Sequence, residues 1–124
     1  MKRFSFSKEK RLINSSQFKS VLDRGQRLSN DILVLYMAKN EFDYARLGVS
    51  VGKSFGSAVV RNRLKRLLRE AFRQSQDVIP SSFDYLLMVS PRLLKKAGSE
   101  KAQKLPTFEQ IKNSFLALVG SANL

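Results

Sequence analysis

Six cationic side chains share the stretch Val59–Arg73 with one acid: Arg61, Arg63, Lys65, Arg66, Arg69 and Arg73 against Glu70. Between them stand Val60, Leu64, Leu67, Leu68, Ala71 and Phe72. Advancing about 100° per residue from Leu64 puts Val60, Leu64, Leu67, Leu68 and Ala71 within about 60° of one direction. Asn62, Lys65, Arg66, Arg69 and Arg73 fall between about 100° and 200° on the same wheel. Arg61 sits nearer the boundary, and Arg63 lies on the opposite flank. The spacing predicts a helix over Ala58–Gln74 that is apolar on one side and carries a cationic ridge on the other. Helices that merely face water usually mix signs at i, i+4. This one stacks Arg61, Lys65 and Arg69, a repulsion that phosphates would relieve. Guanidinium forks match phosphate oxygens better than ammonium groups do. A solvated basic face is the alternative, and the like-charge stacking counts against it.

The rest of the chain excludes most protein-based chemistry. There is no His, the side chain best suited to proton transfer near neutral pH, and no Cys for a disulfide, a thiolate metal site or a nucleophile. The acids are scattered, with Glu41 and Asp43 the only close pair. No catalytic residue and no metal ligand is assigned. The balance of 23 Lys+Arg against 10 Asp+Glu leaves a net charge of +13, which asks for a polyanion. Nucleic acid leads; an anionic membrane surface is second. The longest apolar runs, Ile32–Ala38 and Tyr85–Val89, are too short to span a bilayer. Met1–Arg11 is basic but has no apolar signal core, so a cytoplasmic protein is expected.

With 124 residues the chain is read as one domain, residues 1–124, with a mobile basic arm over 1–11 and a flexible loop over 95–106. Asn14-Ser15-Ser16 is a capping cluster, and Phe18, Val21 and Leu22 at i, i+3, i+4 predict a helix over Ser16–Arg24 that Gly25 ends. Asp31–Lys39 reads as a strand. Ile32, Val34 and Tyr36 point one way and Leu33, Leu35 and Met37 the other, so both faces should be covered. Arg46–Lys53 reads as a second strand. Leu47, Val49 and Val51 share one face; Gly48, Ser50 and Gly52 leave the other nearly bare, open to close approach. A further short strand is expected around Gln26–Asn30. Asp84–Ser90 is a near-continuous apolar run, as in a buried strand. Thr107 and Gln110 make a capping box that opens a last helix through Phe108, Ile111, Phe115 and Leu118. The strand–helix–strand unit Arg46–Ser90 demands a crossover between parallel strands.

Arg61-Asn62-Arg63, embedded in the run Gly56–Glu70, resembles the signature of the bacterial ribonuclease P protein subunit. Gly48–Lys53 resembles that family's preceding strand. Arg11-Leu12, Phe18, Val21 and Gly25 resemble its first helix, and Asp84-Tyr85 with the following apolar run its last strand. The resemblance covers about residues 9–119. It implies an α+β fold: a single α-β-β-β-α-β-α domain with a mixed four-stranded sheet and a left-handed β-α-β crossover, a rare exception to right-handedness. It implies removal of the 5′ leader from precursor tRNA by an endoribonuclease whose RNA subunit performs the cleavage. Mg2+ would be bound mainly by that RNA, and the protein alone would be inactive. The implied partners are the catalytic RNA and precursor tRNA, with no membrane and no DNA.

By the same resemblance, Lys53, Arg61, Asn62, Arg63, Lys65, Arg66 and Arg69 would meet the catalytic RNA. Phe18, Leu22, Val34, Tyr36 and Ser50 would line a cleft for the single-stranded leader, where rings can stack on any base. Read from the residues alone, ordinary core is the favoured place for Phe18 and Leu22; the resemblance reverses that preference for Phe18 and Tyr36. Asn62 either bonds a nucleotide or hydrated metal or plays a scaffold part. Leu22 stands where the family often has a second aromatic. Gly52 and Ser54 replace a commoner Ser and Lys, and Lys95–Lys104 is longer than usual. A ribosomal protein of similar fold is the nearest rival, and the Arg-Asn-Arg block opposes it. The strands oppose a helix-turn-helix DNA-binding module.

Overall fold

The computed structural model describes residues 11–12, 15–93 and 105–123. The arm expected over 1–11, apart from Arg11, lies outside the described residues. So do Asn14 of the capping cluster and nearly all of the 95–106 loop. The elements run α1 (Ser15–Arg24), β1 (Gln26–Ser29), β2 (Leu33–Lys39), β3 (Arg46–Ser50), α2 (Ala58–Gln74), β4 (Phe83–Val89) and α3 (Phe108–Gly120). The strands form one mixed sheet in the order β1-β2-β4-β3. β1 and β4 pair antiparallel with β2, and β3 pairs parallel with β4.

β4 is an inner strand, and its apolar run is buried on both faces. On one face Leu33, Leu35, Met37, Leu47, Tyr85, Leu87 and Val89 pack with Leu64, Leu68, Ala71 and Phe72 of α2 and Ile111, Phe115 and Leu118 of α3. On the other, Ala38 and Leu86 pack with Leu12 and Val21, flanked by Phe18, Tyr36 and Met88. The face of Leu33, Leu35 and Met37 is thus covered, as the two apolar sets predict; the face of Val34 and Tyr36 is covered only in part, and both residues line an open groove. Ile32 is the exception: it precedes the strand, escapes the alternation and packs with the α2–α3 core. Tyr85 is sunk between Phe72 and Phe115, with ring centroids 5.7 and 5.9 Å away, and its hydroxyl donates to Pro80 O at 2.6 Å. Burial raises its pKa, so the phenol keeps the proton it donates.

Ser90 N–H donates to Ile32 O at 2.8 Å, and Ser90 continues the face of Asp84, Leu86 and Met88. For L-residues this fixes the sides of β4 on which β2 and β3 lie. The passage from β3 over α2 to β4 is therefore left-handed, as the family resemblance implies. Ser57 caps α2 by accepting from Val60 N, and Thr107 and Gln110 cap α3 reciprocally at 3.1 and 2.9 Å.

Two features depart from the sequence expectation. The strand expected over Arg46–Lys53 stops at Ser50, and Lys53–Phe55 is a 3-10 turn that drops Phe55 into the core. Lys53 therefore stands on a turn, not a strand. The second is an ion pair across the parallel register, where Arg46 and Asp84 are direct partners. Arg46 Nε and Nη2 donate to Asp84 Oδ1 and Oδ2 at 2.8 and 2.7 Å, and Asn40 Nδ2 adds a bond to Oδ1 at 2.8 Å. The bonds to Asp84 raise the Arg46 pKa against the opposing effect of burial.

Two substitutions test this packing by chemical denaturation. Leu64→Ala should cost roughly 2–5 kcal/mol by leaving a cavity under α2. Asp84→Asn should cost about 3 kcal/mol, because it leaves the Arg46 guanidinium without its counter-charge. A protein as stable as the parent would show that the pair does not hold β3 to β4.

Candidate nucleic-acid interface

The ridge on α2 follows from what the helix buries. Leu64, Leu68, Ala71 and Phe72 are buried and Val60 and Leu67 pack against the same core, so the cationic positions are turned outward. Asn62, Arg63, Arg66 and Arg69 are exposed, as is Lys53; Arg61 and Lys65 are half-buried. Arg61 Nε donates to Gly56 O at 3.2 Å and so braces the turn that leads into the helix. Among the described residues, none of Arg61, Arg63, Lys65, Arg66 and Arg69 is ion-paired with an acid. Arg73, which the wheel put on the ridge, is held by Glu70 one turn back. Gln74 also donates to Glu70, at 2.7 Å, and the bonds from Arg73 and Gln74 lower the carboxyl's pKa. The free cations therefore run from Arg61 to Arg69.

The opposite face of the sheet holds the second surface. Pairing sets Arg27, Tyr36, Leu86 and Gly48 in one row across all four strands, and Ser29, Val34, Met88 and Ser50 in the next. α1 covers part of this face, with Val21 buried beside Ala38 and Leu86. Phe18 lies on Gly48: a Cβ there would come within 3.0 Å of the ring and 3.1 Å of Leu12 Cβ. The bare face of β3 is thus used for close approach at Gly48. Gly52, past the end of β3, is open, with Ser54 Oγ the nearest atom to such a Cβ, at 3.9 Å.

Where α1 ends its cover, a groove of about 360 Å³ remains, lined by Val34, Tyr36, Ser50, Gly52 and Met88 and rimmed by Arg27 and Ser54. A neighbouring hollow of about 230 Å³ is lined by Phe18, Gly48, Arg11 and Arg69. Tyr36 and Ser50 come together as the sequence suggests. Phe18 sits beside them, against the same small core, but faces the adjoining hollow with Arg69. Leu22 is 43% exposed and lines neither space, so it is not core. Arg27 was not singled out from the sequence. Alternation along β1, once its register is known, puts it on the groove face.

Residues 6–115 match the protein family described as Ribonuclease P. The ribonuclease P protein component of Thermotoga petrophila is 42% identical over 99 residues, covering 80% of this chain and 81% of that protein. The component from Clostridium kluyveri is 38% identical over 114 residues, covering 92% and 95%. Among solved structures, the RNase P protein from Thermotoga maritima superposes with a TM-score of 0.76 at 32% identity, over 91% of this chain and 97% of the other. A match of this strength reaches into α3 and spans both surfaces, and it shows that the chain belongs to the ribonuclease P protein family.

Proposed function

We propose that this chain acts in the cytoplasm as the protein subunit of ribonuclease P, and that its two surfaces divide the work. Lys53, Arg61, Asn62, Arg63, Lys65, Arg66 and Arg69 meet the catalytic RNA. Val34, Tyr36 and Ser50, with Phe18 in the adjoining hollow and Leu22 exposed on α1, receive the single-stranded 5′ leader of precursor tRNA. One observation carries this reading. A helix anchored by its apolar stripe holds five cations without an acidic partner among the described residues; one of them, Arg69, lines the hollow that holds Phe18, and the same face of the sheet carries the groove floored by Tyr36.

The physical contribution is charge held in place. Bringing two RNAs together crowds phosphates, and each cation that neutralises one releases a counterion. Because α2 cannot turn without exposing its stripe, these cations need little reorganisation when RNA arrives. Base stacking on Tyr36 or Phe18 adds affinity for any leader sequence, since a ring reads no hydrogen-bond code. Magnesium is assigned mainly to the RNA subunit. The described residues bring together no three His, Cys, Asp or Glu side chains that could cage it, and no step is given to it on this chain. Among the described residues no helix is long and apolar enough to cross a membrane.

Precursor-tRNA cleavage assays at low magnesium test the division of labour. The protein alone should not cleave; added to the catalytic RNA it should lower the magnesium requirement. Arg66→Ala and Arg69→Ala should weaken assembly with the fold intact, each reducing the slope of log affinity against log salt by about 0.9. Cleavage by RNA-free protein, or unchanged assembly by both variants, would overturn the reading.

The groove has its own test. Phe18→Ala and Tyr36→Ala, checked for folding by circular dichroism, should each cost about 1–3 kcal/mol per stacked base, with leader-bearing tRNA alone. Equal losses on mature tRNA would make the two rings structural.

A further inference from the structure

Arg27 stands at the far side of the groove from the cationic helix. It is exposed on β1, an edge strand, and is the direct cross-strand partner of Tyr36. Directly opposed residues share a face, with Cβ atoms about 5 Å apart. The Arg27 side chain therefore rises next to the Tyr36 ring and forms part of the groove wall. Its backbone is anchored by its neighbours. Gln26 exchanges hydrogen bonds with the Asn123 backbone at 3.1 and 2.8 Å, and Leu28 packs with the main core on the opposite face. The guanidinium itself makes one long contact, Nη1 to Ser29 Oγ at 3.5 Å, and no acid among the described residues pairs with it.

The layout of charge across the groove gives this arginine a direction. β1 and β3 are the two edges of the sheet, three strand spacings apart, or roughly 14 Å. At the β3 edge the lining includes Gly52 and Ser54, which flank Lys53, and α2 follows. At the β1 edge it includes Arg27. Between them the floor is Val34, Tyr36, Met88 and Ser50, with no acidic side chain among the lining residues. An apolar floor with Arg27 at one lip, and with Lys53 between two lining residues at the other but not itself in the lining, suits a strand whose bases lie down and whose phosphates reach the rims.

We propose that Arg27 holds a backbone phosphate of the leader at the distal lip. The leader then gains this contact only once it is long enough to cross from the β3 edge to the β1 edge. The proposal rests on the reading that the groove receives the leader. The contact is a charge-assisted fork to phosphate, so it positions the strand and is indifferent to leader sequence.

The test uses the holoenzyme, reconstituted from the catalytic RNA and the full chain, and precursor tRNAs whose leaders are lengthened one nucleotide at a time. With the parent protein, affinity should step up at a threshold length. Arg27→Gln should abolish that step, a loss of up to about fivefold on longer leaders, the scale of one exposed charge pair. It should also lower the salt slope by about 0.7, one single-strand phosphate. Shorter leaders and mature tRNA should bind as before, and Arg27→Lys should keep most of the step. Tyr36→Ala is the companion variant and should weaken short and long leaders alike. If Tyr36→Ala shows leader dependence while Arg27→Gln matches the parent at every length, Arg27 is only an edge charge that deters sheet pairing. If neither variant shows leader dependence, the groove reading falls and takes the proposal with it. An equal loss for Arg27→Gln on mature tRNA would place its phosphate outside the leader and would also overturn the proposal.

Discussion

The burial of Leu64, Leu68, Ala71 and Phe72 against the sheet sets what α2 shows to water. Burying each leucine or Phe72 is worth roughly 1.5–3 kcal/mol, and the Ala71 methyl about 0.8 kcal/mol. Like-charge repulsion along a helix face amounts to only a few tenths of a kcal/mol per pair. The apolar stripe therefore wins, and Arg61, Lys65 and Arg69 stay stacked although they repel. The helix cannot relieve the repulsion by rolling, and among the described cations Glu70 pairs with Arg73 alone. What remains is a row of positive charge fixed to a rigid support.

β3 links that row to the groove. Leu47 is buried in the core against which α2 packs, while Gly48 on the other face gives room for the Phe18 ring. Ser50, two residues on, reaches the groove floor. One short strand thus serves both surfaces, and its position against β4 sets their separation. Arg46 and Asp84 hold that position with two short, directional bonds in a largely buried site. Arg69 marks where the surfaces meet, since it belongs to α2 and lines the hollow that holds Phe18.

The groove exists because α1 is short and covers one part of its face. Val21 and Phe18 press on Leu86 and Gly48 and leave Val34, Tyr36 and Met88 beside an open space. An apolar floor of this kind would ordinarily be buried. Here it stays open, with Arg27 on its wall and no acidic side chain among its lining residues.

Local periodicity was enough to specify several parts of this protein. The stripe and ridge of α2, the alternation of Leu33–Met37 in β2, the capping box at Thr107 and the bare positions Gly48 and Ser50 of β3 all depend on spacings within a few residues, and these appear as the sequence predicts. The wheel put Arg73 on the ridge, and its pairing with Glu70, three residues back, came only with the side-chain geometry. Tertiary structure decided the rest, because it turns on residues far apart in the chain. The sheet order came from pairing β3 with β4 across the length of α2. That pairing set Arg46 against Asp84, 38 residues away. Lys53 left the strand because Phe55 had a core to enter. Leu22 stayed in water because α1 turned Val21 inward. Arg27 joined the groove because β1 paired with β2 in a register that set it opposite Tyr36. Spacing along the chain shows which residues share a face, but only pairing between distant segments shows what that face meets.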